Sequence, residues 1–200
     1  MMRIIAGSAR RRPLDTLDGD DITRPTSERV KEGLFSAIQF ELEGRRVLDL
    51  FGGSGQLALE ALSRGADSAV IIDGNVKAVE IIKKNARSTE LIGKCKIMRA
   101  DYSEYLKSAT TKGEKFDLVF IDPPYAKNVK DEVVKKITRA GILNPGAIVV
   151  CESEEDFFNE DESVYGLNFR RKYKYGRAYI TLLEMPENDT ESVDNEGDEE

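Results

Sequence analysis

Histidine is absent from the 200-residue chain, which therefore lacks the commonest metal ligand and the usual general base at neutral pH. The two cysteines, Cys95 and Cys151, each lie within an apolar stretch, a pattern that favours buried free thiols over a disulfide or metal ligands. We therefore expect no metal, and catalysis must depend on carboxylates, backbone groups and positioning. Long apolar runs and a charged-then-apolar leader are also missing, so we expect a cytoplasmic protein with no membrane partner.

Lysine and arginine are missing from the C-terminal end of the chain. The last 17 residues, from Glu184, contain nine of the 37 acidic residues, so the rest of the chain carries a net charge of +2 although the whole carries −7. Residues 186–200 have no apolar periodicity and should form a disordered acidic tail. Solubility is the preferred role of this tail, and competition against non-specific nucleic-acid contacts is the alternative.

Short apolar segments typical of strands alternate with segments of helical pattern. The strands are predicted at residues 45–50, 68–73, 94–99, 116–121 and 146–151. The helices between them are predicted at residues 56–64, 76–87, 102–108 and 129–140. Such alternation implies right-handed crossovers and a parallel sheet covered on both faces. The stretches 163–173 and 177–183 lack an intervening helix and should add an antiparallel hairpin at the edge of this α/β, Rossmann-like sheet of seven strands.

The chain is long enough for one domain with appendages. Residues 3–14 predict a small β-ribbon with a turn at Gly7-Ser8, and residues 27–40 predict a helix with Val30, Leu34 and Ile38 on one face. The predicted division is an N-terminal extension at 1–22, a main domain at 23–185 and the tail at 186–200.

A glycine-rich loop, Gly52-Gly53-Ser54-Gly55, follows the first of the alternating strands, and glycines at such a turn let the backbone approach a ligand. Asp73 ends the next strand 20 residues after Gly53, a spacing that suits a carboxylate binding the hydroxyls of a ribose. The same spacing fits a dinucleotide fingerprint, so an oxidoreductase is an alternative. Asp49 favours S-adenosylmethionine, because an acid there meets an ammonium group but repels a pyrophosphate.

The tetrad Asp122-Pro123-Pro124-Tyr125 ends the apolar run 116–121 and predicts a stiff pocket for a flat group that bears an amine. The prolines fix their own φ angles and remove two backbone donors. Asp122 and neighbouring carbonyls can accept hydrogen bonds from an exocyclic NH2, while Tyr125 stacks on the ring. A rigid turn without function is the alternative, and the upstream glycine loop argues against it.

Several acids have structural alternatives to ligand binding. Asp73 and Asn75 could cap the helix that follows, although we favour cofactor binding for Asp73. Asp101 with Glu104 resembles a capping box, an interpretation that is compatible with contact to an adenine amine because the carboxylate has two oxygens. Asp49 could be a buried strand-end acid, but the adjoining glycines favour a ligand role.

Two groups of basic residues stand out in the body of the chain. Arg10, Arg11 and Arg12 are adjacent. Three neighbouring arginines are more positive charge than a solvent-exposed surface needs, so RNA binding and simple solvent exposure are equally favoured for them. The second group runs from Arg170 to Arg177 and alternates with aromatic residues. For this group we prefer a solvated strand hairpin around Gly176.

Six segments resemble the RsmD family, bacterial methyltransferases of small-subunit ribosomal RNA. They are residues 3–8 with the arginines that follow, 24–32, 49–55, 59–66, 122–125 and 175–177. The resemblance covers roughly residues 2–184 and is specific, because the first two segments are not shared by methyltransferases generally. Two positions depart from the family pattern: Gly52 stands where alanine is usual, and Asp73-Gly74 replaces an acid followed by a charged residue.

The resemblance implies methyl transfer from S-adenosylmethionine to the N2 amine of a guanine in 16S rRNA, on naked rRNA or on the small ribosomal subunit. We expect a monomer. The expected catalytic residues are Asp122, Pro123, Pro124 and Tyr125. The expected cofactor ligands are Asp49, Phe51, Gly52, Gly53, Ser54, Gly55, Asp73, Gly74, Asp101 and Tyr102. The expected RNA contacts are Arg10, Arg11, Arg12, Arg24 and Thr26.

Two rival functions remain open. The same tetrad could serve another planar amine, in adenine of DNA or in a glutamine side chain of a protein. Alternatively, the chain could be a non-catalytic ribosome assembly factor, a hypothesis that the intact glycines Gly53 and Gly55 and the acids Asp73 and Asp122 argue against.

Overall fold

The computed structural model describes residues 2–17, 27–123, 129–156, 158 and 163–187. Its strands are β1 (Arg46–Asp49), β2 (Ser68–Asp73), β3 (Cys95–Arg99), β4 (Phe116–Ile121), β5 (Leu143–Ser153), β6 (Asn168–Tyr175) and β7 (Ala178–Glu184). Its α-helices are α1 (Ser27–Ala37), α2 (Gln56–Ser63), α3 (Val76–Ser88), α4 (Tyr102–Thr111) and α5 (Val129–Ala140). Two single 3-10 turns, Gln39–Glu41 and Ile92–Lys94, complete the elements of the described residues.

The strands form one mixed sheet in the order β3-β2-β1-β4-β5-β7-β6. Strands β1 to β5 are parallel, and β7 lies antiparallel between β5 and β6. The predicted fold class is confirmed, with an antiparallel C-terminal hairpin on a Rossmann-like sheet. Because the order reverses at β1 and β4, the carboxyl ends of these two strands flank the crevice where such sheets bind ligands.

Two apolar cores lie on the two faces of the sheet. One is built around α1, α2 and α3 and includes Val30 and Leu34 of α1 and the adjoining Ile38, each at most 4% exposed, as predicted for one face of this segment. The other is built around α4 and α5 and includes Val133 and Ile137. The helices therefore cover both faces, as the strand pattern predicted. Among the described residues, no helix is both long enough and apolar enough to cross a membrane.

The N-terminal segment is fixed to α2 through its backbone. A single antiparallel bridge, Arg3 to Pro13, forms the ribbon, and the Ile5 and Ala6 amides donate to the carboxylate of Glu60 at 2.8 and 3.0 Å. At the turn, Gly7 has a φ of +82°, and a Cβ there would lie 1.7 Å from the carbonyl oxygen of Ser63. The extension predicted at 1–22 thus shares the main core over its described residues, and its boundary at residue 22 lies outside them.

Several details differ from the sequence-based expectations. Strand β6 begins at Asn168 rather than near residue 163, and α4 continues to Thr111 rather than ending at residue 108. The first helix ends at Ala37 rather than at residue 40, and a 3-10 turn follows. Strand β5 begins at Leu143 rather than at residue 146, because an irregularity in its pairing with β4 accommodates Pro145-Gly146. Cys151 is buried as expected, but Cys95 is only partly buried at the start of β3.

Candidate functional site

The glycine loop is held to the sheet by backbone hydrogen bonds. The amide of Gly52 donates to the Ile72 carbonyl at 2.9 Å, and the amide of Gly53 donates to Oδ2 of Asp73 at 2.9 Å. Gly53 and Gly55 have φ angles of +54° and +79°, which residues with a side chain rarely adopt. The loop therefore turns from β1 into α2 while it stays attached to the end of β2.

The glycines of this loop face different surroundings. A Cβ on Gly52 would lie 2.6 Å from Cγ2 of Ile71 and 2.8 Å from Cδ1 of Ile82, so this position is packed against the core. A Cβ on Gly53 would have no neighbour nearer than 4.0 Å. The backbone at Gly53 is thus open to a ligand, whereas the glycine at position 52 is matched to two isoleucine side chains.

Asp73 connects β2 to the loop and does not cap the next helix. Its Oδ2 accepts from Gly53 and its Oδ1 accepts from the amide of Asn75 at 2.7 Å. The cap of α3 is Asn75, whose Oδ1 accepts from the Lys77 amide at 3.0 Å. A carboxylate has about four lone-pair sites, so Asp73 retains acceptor capacity for two hydroxyl groups.

Asp49 is a buried acid at the end of β1. It is 2% exposed, and its Oδ1 accepts a long hydrogen bond of 3.4 Å from the Phe51 amide. Burial first, and the negative charges of Asp122 and Asp73 to a smaller extent, raise the pKa of Asp49 to about 7 against the backbone hydrogen bonds that lower it. Three carboxylates therefore face one crevice, which is an environment that attracts a cation.

The remaining acids and rings lie at the same carboxyl edge of the sheet. Asp101 caps α4 by accepting from the Ser103 and Glu104 amides at 2.8 and 3.3 Å, both through Oδ1. Next to it, the ring of Tyr102 lies 5.5 Å from that of Phe51, centroid to centroid. The capping role predicted for Asp101 is thus confirmed, and its adenine contact stays a prediction. Gly74 is exposed, with no atom within 4 Å of a Cβ placed there.

The tetrad begins where β4 ends. Asp122 is partly buried and Pro123 is buried, directly after the buried strand residue Ile121. Pro124 and Tyr125 lie outside the described residues. Since β1 and β4 are neighbours, Asp122 and Asp49 come from adjacent strand ends, and the charge of one acts on the pKa of the other.

Three residues at this edge were not predicted from the sequence. Asn85 of α3 is 1% exposed and donates from Nδ2 to the Ser54 carbonyl at 2.8 Å, a hydrogen bond that attaches the loop to α3. Gln56 leaves its buried Oε1 without a donor among the described residues, at the first position after the loop. Burial lowers the pKa of Lys130, and the charges of Asp122 and Glu152 oppose that shift, so an ammonium lies near the tetrad. Asn85 and Lys130 had no local signal, because their partners are distant in sequence.

The candidate RNA residues divide into two groups. Arg10 and Arg11 are exposed, whereas Arg12 donates to the Ser88 carbonyl at 2.6 Å and to Glu90 at 2.7 Å, which joins it to the end of α3. Arg24 and Thr26 lie outside the described residues. The RNA-binding role of all five residues stays a prediction.

The crevice suits a ligand that is cationic, carries adjacent hydroxyl groups and includes a flat ring. Asp49 offers a carboxylate to an ammonium, Asp73 offers acceptors to hydroxyls, and Gly53 leaves the backbone open. In the described part of the chain, no group of three or more acidic, cysteine or histidine side chains could hold a metal ion.

The sheet order, the antiparallel hairpin and the acid-lined glycine loop define a Rossmann-like fold of the S-adenosylmethionine-dependent methyltransferase class. The model of the family described as "Conserved hypothetical protein 95" matches residues 2–184. The chain belongs to this family, which confirms the resemblance to RsmD proteins found in the sequence.

Individual relatives match most of the chain. YlbH of Bacillus subtilis (strain 168) is 35% identical over 181 residues, which span 90% of this chain and 97% of that protein. "Ribosomal RNA small subunit methyltransferase D" of Escherichia coli (strain K12) is 33% identical over 153 residues, which span 76% of this chain and 75% of that protein. The solved structure of yhhF from Escherichia coli has a TM-score of 0.80 and 30% identity, covering 92% of this chain and 98% of that chain.

Proposed function

We propose that this chain transfers a methyl group from S-adenosylmethionine to the exocyclic N2 amine of a guanine in 16S rRNA. Its substrate is naked 16S rRNA or the small ribosomal subunit. The proposal rests on the family membership together with one feature of the site, the convergence of Asp49, Asp73 and Asp122 around the glycine loop. S-adenosylmethionine carries a sulfonium and an ammonium group, so a crevice lined by carboxylates suits it better than it suits a dinucleotide.

Each side chain then has a defined part in holding the cofactor. Asp49 pairs with the ammonium group, Asp73 accepts hydrogen bonds from the ribose hydroxyls, and the backbone around Gly53 lies against the ligand. Asp101 accepts from the adenine amine through the carboxylate oxygen that does not cap α4. Phe51 and Tyr102, whose rings lie 5.5 Å apart, make apolar contact with the adenine ring. When bound, the cofactor supplies the reactive methyl group.

The tetrad positions the accepting amine. Guanine N2 is a weak nucleophile because its lone pair is delocalised into the ring. Hydrogen bonds from N2 to Asp122 and to a carbonyl of Pro123-Pro124 direct that lone pair at the methyl group, so the rate gain comes chiefly from alignment. The base must leave its stack to reach this edge, and Tyr125 provides replacement stacking.

The direct test is methylation of small ribosomal subunits purified from cells that lack this protein. The expected product after incubation with S-adenosylmethionine is N2-methylguanine at a single position, identified by mass spectrometry of the digested rRNA. Calorimetric titration with S-adenosylmethionine separates the assembly-factor alternative, which predicts no binding. Methylation of DNA adenine or of a protein glutamine under the same conditions would instead support the other rival.

A substrate RNA with inosine at the target guanine tests the methylated atom, because inosine lacks only the N2 amine. It should bind nearly normally and accept no methyl group. Asp122→Ala should retain cofactor binding and lose turnover, the pattern of an interaction made mainly in the transition state. Asp122→Asn should keep partial activity, since an amide oxygen still accepts from N2. Methyl transfer to inosine would contradict the N2 assignment.

A further inference from the structure

The end of the β6–β7 hairpin extends beyond the sheet edge at which the candidate site lies. Register across the sheet places Ile121 of β4 beside Cys151, Cys151 beside Thr181, and Thr181 beside Lys172 of β6. Strand β4 ends at Ile121, but β6 continues three residues further to Tyr175. We refer to residues 173–179 as the hairpin tip. It rises about 10 Å beyond the end of β4, and the two strands are roughly 14 Å apart.

The hairpin tip combines positive charge with aromatic rings. It contains three tyrosines, one lysine, one arginine and no acid. The rings of Tyr173 and Tyr175 are stacked at 6.2 Å on one face, and Nζ of Lys174 lies 5.0 Å from the ring centroid of Tyr179 on the other. All three rings are half-buried, and those of Tyr173 and Tyr175 pack against the core, whereas Lys174 and Arg177 are exposed. Exposed cations on a rigid strand end are groups that contact the phosphates of a nucleic acid.

The strand behind the tip is firmly anchored. Lys172 pairs with Asp156 and donates to the Phe158 carbonyl, and Arg170 forms two hydrogen bonds of 2.7 Å with Glu41. Tyr175 occupies the space above Gly33 of α1, where a Cβ would lie 1.9 Å from its hydroxyl oxygen. The tip is therefore a rigid projection of the sheet, with its orientation fixed from both faces.

The two cationic side chains of the tip, Lys174 and Arg177, do not anchor the strand. Neither Lys174 nor Arg177 forms an ion pair with a carboxylate of the described residues, in contrast to Arg170 and Lys172 a few residues earlier. The sequence pattern alone favoured a solvated hairpin here. The register changes that interpretation, because it brings these two cations to the same edge as Asp122.

We propose that the hairpin tip binds the RNA strand next to the target nucleotide, with Lys174 and Arg177 contacting its phosphates. This inference rests on the proposed RNA substrate. An RNA backbone that enters the crevice at Asp122 passes close to the cations of the hairpin tip, which lies about three strands away in the sheet. Cations at this position offset the repulsion between the phosphates and the acids of the crevice.

The test compares the parent with Lys174→Gln/Arg177→Gln. A matched control, Lys107→Gln/Lys112→Gln, removes two exposed charges from the C-terminal half of α4 and its C-cap, away from the candidate site. Binding of unmodified 16S rRNA is measured across salt concentrations, and methylation of unmodified small subunits is measured in parallel. The tip variant should bind RNA about tenfold more weakly at low salt, and its log–log salt slope should fall by about 1.4, which corresponds to two phosphate contacts on a single strand. The control should match the parent.

Further measurements distinguish RNA binding by the tip from an effect on folding or on cofactor binding. The KM for the RNA substrate should rise in the tip variant while cofactor affinity and the unfolding midpoint stay unchanged, and Lys174→Arg/Arg177→Lys should restore binding. An unchanged salt slope and RNA KM in an otherwise active tip variant would overturn the inference and leave the proposed function standing. Equal losses in the tip variant and the control would overturn it as well. A parent that neither binds nor methylates RNA would overturn both proposals.

Discussion

At the scale of single residues, the ionisation of Asp49 makes the stability of the ligand-free protein depend on pH. The pKa of Asp49 is raised to about 7 in the folded protein, against an ordinary value of 3.8. Between these two values the folded state keeps a proton that the unfolded state has lost, so stability falls as pH rises through this window. Above pH 7 the loss is complete, because both states are then ionised.

Replacement of Asp49 by asparagine should remove this part of the pH dependence. We expect the stability of Asp49→Asn relative to the parent to improve by about 2–3 kcal/mol between pH 5 and pH 8, since one pKa unit corresponds to about 1.4 kcal/mol. Urea unfolding of both proteins at the two pH values measures this difference. Parallel stability curves for parent and variant would mean that Asp49 is already ionised at pH 5.

The two acceptors at the end of β2 should differ in their effect on cofactor binding. Asp73→Ala should weaken S-adenosylmethionine binding by roughly 1.5–3 kcal/mol, because it removes charge-assisted hydrogen bonds. Asn75→Ala removes only the α3 cap and should lower stability by about 1 kcal/mol with cofactor affinity retained. Calorimetric titration and urea unfolding of both variants check this. Normal cofactor affinity in Asp73→Ala would limit that residue to holding the loop at Gly53.

At the scale of elements, one buried amide joins three segments behind the glycine loop. Asn85 of α3 donates to the carbonyls of Asp15 and Ser54 at 2.9 and 2.8 Å, and its Oδ1 accepts from the Asp15 amide at 2.9 Å. The N-terminal segment, the loop and α3 are thereby connected through a single side chain. Loss of the amide would leave buried backbone groups unpaired, which costs about 1–3 kcal/mol.

We predict that Asn85→Ala weakens S-adenosylmethionine binding beyond its effect on stability, because the carbonyl that it frees belongs to the loop. Thr89→Ala is the matched control: Thr89 is also buried, at the C-cap of this helix, but its hydroxyl donates to the Asn85 carbonyl at 2.7 Å and not to the loop. Cofactor affinity and urea midpoints of both variants provide the measurement. A similar fall in affinity for the two would attribute the effect to general loosening of α3.

Contacts between residues distant in sequence, like those of Asn85, could not be predicted from the sequence. Strands and helices were predictable because apolar period and capping residues are local, and the convergence of Asp49 and Asp122 follows from parallel strands. The burial of Glu60 and Lys31 was not predictable, since Glu60 pairs with backbone amides 54 and 55 residues away and with Lys31 at 3.4 Å. The hairpin was also predictable, but local pattern does not tell which of its two strands pairs with β5.

At the scale of the whole molecule, charge is divided unevenly along the chain. Residues 188–200 contain seven acids and no lysine or arginine, so the chain without them has a formal net charge of zero. The body that remains includes the exposed Arg10 and Arg11 and the hairpin tip. Acidic residues act on such surfaces through long-range electrostatics, which salt screens over about 8 Å at 0.15 M.

Removal of residues 188–200 should therefore strengthen non-specific RNA binding several-fold at about 0.02 M salt and change it little above about 0.2 M. A full-length chain with the seven acids replaced by their amides should behave like the truncated one, because charge and not length is the cause. Binding of an RNA of unrelated sequence to the three proteins across salt concentrations measures this, and cofactor affinity should be equal in all three. If truncation leaves RNA binding unchanged even at low salt, the tail does not compete with RNA, and its contribution is restricted to solubility.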